Sequence, residues 1–184
     1  MGTYRRSPGF FFARGLLGVC GMSGVLAVLF KVIDVATADS LHREIRSRAR
    51  GVEIEHPSLG LSVLDAAPTV VGGLTMAAVA WLLLIVVIDI QRGQVFDDKA
   101  ARRLRTSALV ITVGILAHAL IAAWADIAVL KAAPRGRGGN DYSYYFVGAV
   151  LPAAPWFLVA ALLAVFAHAF REGLRLVQDS DGLV

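Results

Sequence analysis

Four charged side chains fall within or at the edge of long apolar stretches of the sequence, where ionisable groups are uncommon. They are Lys31, Asp34, Asp65 and Asp126. Ionisable groups are costly in hydrocarbon, so such residues usually pair with one another or face a polar interior. One lysine against three aspartates predicts either an ion-paired layer or a site for a cation or a cationic ligand.

His118 is the titratable residue that lies deepest in an apolar stretch. We weigh two roles for it: a neutral residue that hydrogen-bonds between helices, or part of a proton or ligand path. A lone histidine does not make a metal site. Because Cys20 is the single cysteine, no intramolecular disulfide or cysteine-based metal site is expected, and we predict no metal and no cofactor.

The sequence carries no recognisable catalytic motif. It lacks the glycine-rich phosphate loop, the H-E-x-x-H zinc motif and the G-x-S-x-G nucleophile elbow. We therefore predict a protein that is not an enzyme. The formal charge of +4 comes from basic residues in short segments between apolar stretches, without a recognition helix, so direct nucleic-acid binding is not expected.

The apolar residues are concentrated in four segments. The chain is 57% hydrophobic and 17% charged, against about 45–50% and about 25% in soluble domains. Each segment reaches the roughly 20 residues that a helix needs to cross a bilayer, and lipid offers backbone groups no other partner. We predict an all-α integral membrane four-helix bundle, a single transmembrane domain over residues 1–184, with spans at about 13–36, 66–90, 107–130 and 145–170.

Basic residues at the ends of these segments predict the orientation. With the N-terminus inside, ten Lys and Arg residues are cytoplasmic and seven are external, which favours N-in and C-in. The chain is then a multi-pass protein of a bacterial cytoplasmic (inner) membrane, and the four charged residues lie in its outer third. The connecting segments are external loops at about 37–65 and 131–144, a cytoplasmic loop at about 91–106 and a cytoplasmic tail at 171–184.

Two further predictions concern the N-terminal third of the chain. The first apolar segment is long and contains Lys31 and Asp34, so we interpret it as a span and not as a cleaved signal peptide. In the first external loop, Leu41 and Ile45 are spaced four apart, which predicts a short amphipathic helix over 40–50.

Small residues recur at spacings that bring membrane helices close together. Gly18, Gly21 and Gly24 are three apart in the first segment, and Gly73 and Ala77 are four apart in the second. Such positions let helix backbones approach closely in lipid. They serve packing within the bundle or the assembly of a homo-oligomer.

The cytoplasmic loop predicts a short amphipathic helix between the second and third spans. Asp97 or Asp98 can cap it, and Phe96, Ala100 and Leu104 follow at four-residue spacing. Basic residues flank this apolar stripe, so the helix can rest on anionic lipid headgroups as a topology anchor. The alternative is a docking surface for a cytoplasmic partner.

Two segments resemble a bacterial membrane protein family known as domain of unknown function 2975. Residues 92–105, R-G-Q-V-F-D-D-K-A-A-R-R-L-R, are similar to its loop motif, although Val95 and Ala100 stand where the family favours Pro and Asn. The C-terminal segment is similar to the family's ending at Phe170, Gly173, Leu176, Asp179, Asp181 and Val184.

This resemblance implies no established activity, but family members are often encoded beside a small helix-turn-helix regulator. It implies a sensor, or a protein that sequesters such a regulator at the membrane. Candidate docking residues are Phe96, Arg102, Arg103, Arg105, Arg171, Asp179 and Asp181. The alternative function is a small transporter or transporter accessory subunit that uses the charged layer and His118.

Overall fold

Four helices that are long and apolar enough to cross a membrane dominate the structure, as predicted. The computed structural model describes residues 8–37, 44–47, 52–55, 58–92, 98–132, 147–148 and 150–181. Its helices are α1 (Pro8–Thr37), α2 (Leu59–Gln91), α3 (Asp98–Ala132) and α4 (Ala154–Asp181), and a 3-10 turn (Leu151–Ala153) directly precedes α4.

Helix α2 begins well before the start predicted near residue 66. The Ser58 hydroxyl accepts a hydrogen bond from the Leu61 N–H at 3.3 Å, which satisfies one of the free donors at the helix start. At a rise of about 1.5 Å per residue, a helix of this kind is roughly 50 Å long. That exceeds the hydrocarbon thickness of about 30 Å, so the ends of α2 reach into the headgroup region or the helix is tilted.

The basic stretch predicted as a separate short helix is instead the beginning of α3. Residues 98–105 form its first turns, and the helix continues to Ala132 without a break. No proline occurs in this stretch and Gly114 is its single glycine, so nothing interrupts the backbone hydrogen bonds. Phe96, the first residue of the predicted stripe, lies outside the described residues.

The helix predicted over 40–50 is wrong, because part of that segment forms a β-hairpin. Strand β1 (Glu44–Ser47) pairs antiparallel with β2 (Val52–Glu55), and Ile45 stands opposite Ile54. In β2 the β-branched residues Val52 and Ile54 alternate with glutamates, and Ile45 stands between polar residues in β1. This period of two favours strands over a helix with four-residue spacing.

Small side chains fill the interior of the described structure and large ones face outward. Eleven of the fifteen buried hydrophobic residues are alanines. Phe11, Trp81 and Trp124 are each more than 60% exposed. A soluble protein of this size rarely exposes so much apolar surface, whereas membrane helices pack through small residues and leave large ones to the lipid.

Two compact units divide the chain, and each of the four helices contributes residues to both. The first unit consists of Met1–Gly24, Thr75–Thr112 and Trp156–Val184. Its core contains Val86 of α2, Leu104 of α3 and Ala167 of α4, with partly buried neighbours that include Phe170.

The second unit consists of Val25–Leu74 and Val113–Pro155. It holds the β-hairpin. Its buried hydrophobic residues are alanines except for one valine: Ala66, Ala119, Ala123, Ala125, Val129 and Ala153.

Of the glycines in α1, Gly21 makes a close approach to α2. A Cβ atom at Gly21 would lie 3.4 Å from the Ala80 Cβ, whereas one at Gly18 would have no neighbour within 4 Å. We expect Gly21→Leu to destabilise the protein by about 1–3 kcal/mol through overpacking. Thermal unfolding in detergent measures this, with Gly18→Leu as the matched control. Equal losses in the two variants would show that α1 does not pack on α2 through Gly21.

Candidate functional site

A basic cavity lies between the first turns of α3 and the middle of α4, within the first unit. Its volume is about 420 Å³. The side chains around it are three arginines, one histidine and three alanines: Ala101, Arg102, Arg105, Ala164, Ala167, His168 and Arg171. We call this site the basic cavity.

Helical spacing explains why these residues meet. On α4 the lining positions are 164, 167, 168 and 171, which form one face of a helix, and on α3 they are 101, 102 and 105. Leu104 and Ala167 belong to the core of the unit and hold the two helices together. The alanines leave space between the helices, while the exposed Arg105 and Arg171 reach around it.

The three arginines that line the cavity give it a positive character. Among the residues that the structure describes, neither Arg105 nor Arg171 takes part in an ion pair. A guanidinium presents several N–H donors in a plane and matches the geometry of phosphate and carboxylate groups. The arrangement is therefore suited to binding an anion.

The positive charge of Arg103, in contrast, is neutralised by an ion pair within the protein. Its guanidinium donates to the carboxylate of Asp89 at the end of α2, and that carboxylate is only 15% exposed. In the same unit, Arg14 of α1 donates to the side-chain oxygen of Gln91 at 3.4 Å. We predicted Arg103 as a docking residue, but the structure gives it a role in joining α2 to α3.

Of the predicted docking residues, the structure brings Arg102, Arg105 and Arg171 together. Asp179 and Asp181 belong to the last turns of α4, but their side chains lie outside the described part of the structure. Sequence reasoning missed His168, which was not among the predicted docking residues but lines the same cavity. Its spacing of three from Arg171 was the available signal.

The predicted charged layer is found in the second unit. The Lys31 ammonium lies 3.3 Å from a carboxylate oxygen of Asp65 and 3.6 Å from one of Asp34. Asp126 is half-buried and within electrostatic range of Asp65. For Lys31, Asp34 and Asp65 the geometry agrees with the ion-paired alternative.

His118 makes the interhelical hydrogen bond that was one of its two predicted roles. Its Nδ1 lies 2.8 Å from the backbone oxygen of Pro68 in α2. A carbonyl can only accept, so Nδ1 carries the proton and, in a neutral ring, Nε2 remains an acceptor. A Cβ atom at Gly72, one turn after Pro68, would lie 3.2 Å from Nδ1, so the glycine makes room for the ring.

Sequence reasoning missed Pro68, Gly72 and Asp89. The signal for Pro68 was a proline inside an apolar span, which removes one backbone hydrogen bond and disturbs the helix around it. The signal for Asp89 was an acid near the end of a span that is followed, across a short loop, by a run of arginines.

Comparison with known proteins finds no matching family model, no matching curated protein and no matching solved structure. The resemblance to the family of domain of unknown function 2975 therefore stays a prediction. Within the described ranges, no group of three or more His, Cys, Asp or Glu side chains could hold a metal ion.

The contact between Gly72 and His118 predicts an interaction between two substitutions. We expect Gly72→Val to destabilise the protein by about 1–3 kcal/mol, because the larger side chain pushes against the imidazole. In a His118→Ala background the same change should cost much less, and a double-mutant cycle of thermal unfolding measures the difference. Additive effects would contradict the packing of His118 on Gly72.

The ion pairs of Lys31 predict a second non-additive effect. We expect Lys31→Met to destabilise the protein by about 1–3 kcal/mol, since it leaves two carboxylates without their cation. Adding Asp65→Asn to the Lys31→Met variant should restore part of the lost stability. Unfolding in detergent tests both variants, and a Lys31→Met protein as stable as the original would mean that the ion pairs contribute nothing to stability.

Proposed function

We propose that this protein is a non-enzymatic sensor, or a sequestering partner, that binds a regulator protein at the cytoplasmic side of a bacterial inner membrane. The observation that carries this proposal is the basic cavity. It unites Arg102 and Arg105 at the start of α3 with Arg171, which lies near the end of the candidate membrane span of α4. The two segments that we predict to be cytoplasmic thus contribute to one surface.

The ends of the two helices offer a mixed charged and apolar surface for a partner. Arg171, Glu172 and Arg175 are exposed, and Leu176 is 68% exposed. Exposed apolar side chains beside charged ones are typical of protein interfaces, in which charge steers the encounter and apolar contacts add affinity. The excess of arginine favours a partner that presents an acidic segment.

The orientation and the kind of partner rest on sequence arguments. The count of basic residues favours N-in and C-in, which exposes the basic cavity to the cytoplasm. The family resemblance suggests that the partner is a small helix-turn-helix regulator, held away from DNA while it is bound. Besides the regulator protein, the lipid bilayer is a partner, because every span contacts it. The glycines of α1 are also compatible with a homo-oligomer.

A small transporter is the second candidate function, and the acidic excess around Lys31 is the observation in its favour. Asp34 and Asp65 both pair with Lys31, while Asp126 supplies a third carboxylate to the same unit. The pairing itself argues for a structural role, because it consumes the charges that a transported cation would need.

Photo-crosslinking in intact cells tests the docking surface. A photo-reactive amino acid replaces Leu176 on the proposed surface, and Leu120, an exposed position in the middle of α3, serves as the lipid-facing control. We expect a cytoplasmic regulator to crosslink at position 176 and not at position 120, as identified by mass spectrometry.

The same experiment tests the role of charge. Arg171→Glu should reduce the crosslinked product at least several-fold, because it reverses a charge at the basic cavity. Arg92→Glu, an exposed arginine that does not line the cavity, is the matched control. The proposal fails if both variants behave alike.

A further inference from the structure

The basic cavity lies close to both the end of the membrane spans and an apolar surface. The candidate span of α3 begins at Lys99 and that of α4 ends at Gly173. Arg105 and Arg171 are therefore within about two turns of the span ends on the same side. Phosphate groups of lipids lie at this depth, and long basic side chains reach it from within the membrane.

Exposed apolar residues continue from the cavity towards the middle of the spans. Leu109 follows Arg105 by one turn on the same face of α3 and is 58% exposed. On α4, Val165 precedes His168 by three residues and is 64% exposed, and Ala161 beside it is also exposed. A ligand with an anionic headgroup and apolar chains matches this arrangement, in which exposed apolar side chains follow the basic cavity.

The chemistry of the cavity selects a phosphate group. The guanidinium groups of Arg105 and Arg171 and the imidazole of His168 provide hydrogen-bond donors around one space. No carboxylate lines that space in the described structure. A volume of about 420 Å³ lies within the range of pockets that bind small ligands.

The neighbouring Arg103 shows that the fold can neutralise an arginine at this depth. Asp89 does so for Arg103, whereas no described acid does so for Arg105 or Arg171. Two cations held by packed helices near the headgroup layer attract an anion from their surroundings. In a bacterial membrane the abundant anion at this depth is the phosphate of an acidic phospholipid.

We infer that the basic cavity binds the phosphate group of an anionic phospholipid, whose acyl chains lie along Leu109 and Val165. Arg105 and Arg171 hold the phosphate, and His168 donates an additional hydrogen bond. This site does not require the protein partner of the proposed function, nor does it depend on which side of the membrane faces the cytoplasm.

Binding of defined lipids to the purified full chain tests the inference. The protein in a neutral detergent is titrated with phosphatidylglycerol or phosphatidylcholine, and native mass spectrometry counts the lipids bound to each chain. We expect one phosphatidylglycerol to bind strongly and phosphatidylcholine to bind much more weakly. Arg105→Gln/Arg171→Gln should weaken phosphatidylglycerol binding about 30-fold, at roughly 1 kcal/mol for each arginine.

Matched variants separate this site from general charge effects. Arg92→Gln/Arg175→Gln removes two exposed arginines that do not line the cavity, and it should leave the affinity unchanged. Ala164→Leu keeps every charge and narrows the cavity, so it should also weaken binding. This variant decides the question if the double arginine variant does not fold.

Three results would overturn the inference. The first is unchanged phosphatidylglycerol binding in the cavity variants. The second is an equal loss in the Arg92→Gln/Arg175→Gln control. The third is inorganic phosphate displacing phosphatidylglycerol at similar concentrations, which would identify a site for free phosphate and not for a lipid. Because no partner protein is present, a negative result here leaves the crosslinking test of the proposed function intact.

Discussion

Hydrocarbon offers no partner to a backbone N–H or carbonyl group, and this constraint determines most of the structure. Each crossing segment must satisfy its own backbone hydrogen bonds, so the apolar segments form helices. The helices then associate through close contact and not through the exclusion of water, which explains an interior made mainly of alanine. Pro68 is the exception within α2, because it has no backbone N–H to donate. Its carbonyl oxygen also accepts a hydrogen bond from the His118 side chain.

The same constraint decides which parts of the structure the sequence predicts well. Four apolar segments of sufficient length leave no other reasonable architecture, so the helices were predictable. Their ends were not, because they depend on local events such as the Ser58 cap of α2 and the lack of any helix breaker at the start of α3. Outside lipid this constraint is absent, so the pattern of residues does not decide between a helix and a strand. The four-residue spacing of Leu41 and Ile45 was compatible with a helix, but Ile45 lies in strand β1.

The candidate site was predictable in its residue types but not in its partners. The arginines between the second and third spans predicted either a topology anchor or a docking surface. A linear pattern does not tell how Arg103 and Arg105 differ: Arg103 pairs with Asp89, whereas Arg105 lines the basic cavity with His168 of α4. That difference arises from the direction in which each residue points from α3 and from the packing of Leu104 against Ala167.

An interior of alanines has a consequence for how this protein tolerates mutation. At lipid-facing positions such as Phe11 and Trp124, one large apolar residue can replace another with little effect on packing. At positions such as Ala123, which is fully buried, even one added methylene group has nowhere to go. Among apolar substitutions along the spans, side-chain volume at the buried positions would therefore divide the tolerated changes from the damaging ones, while the outward-facing positions would accept large side chains.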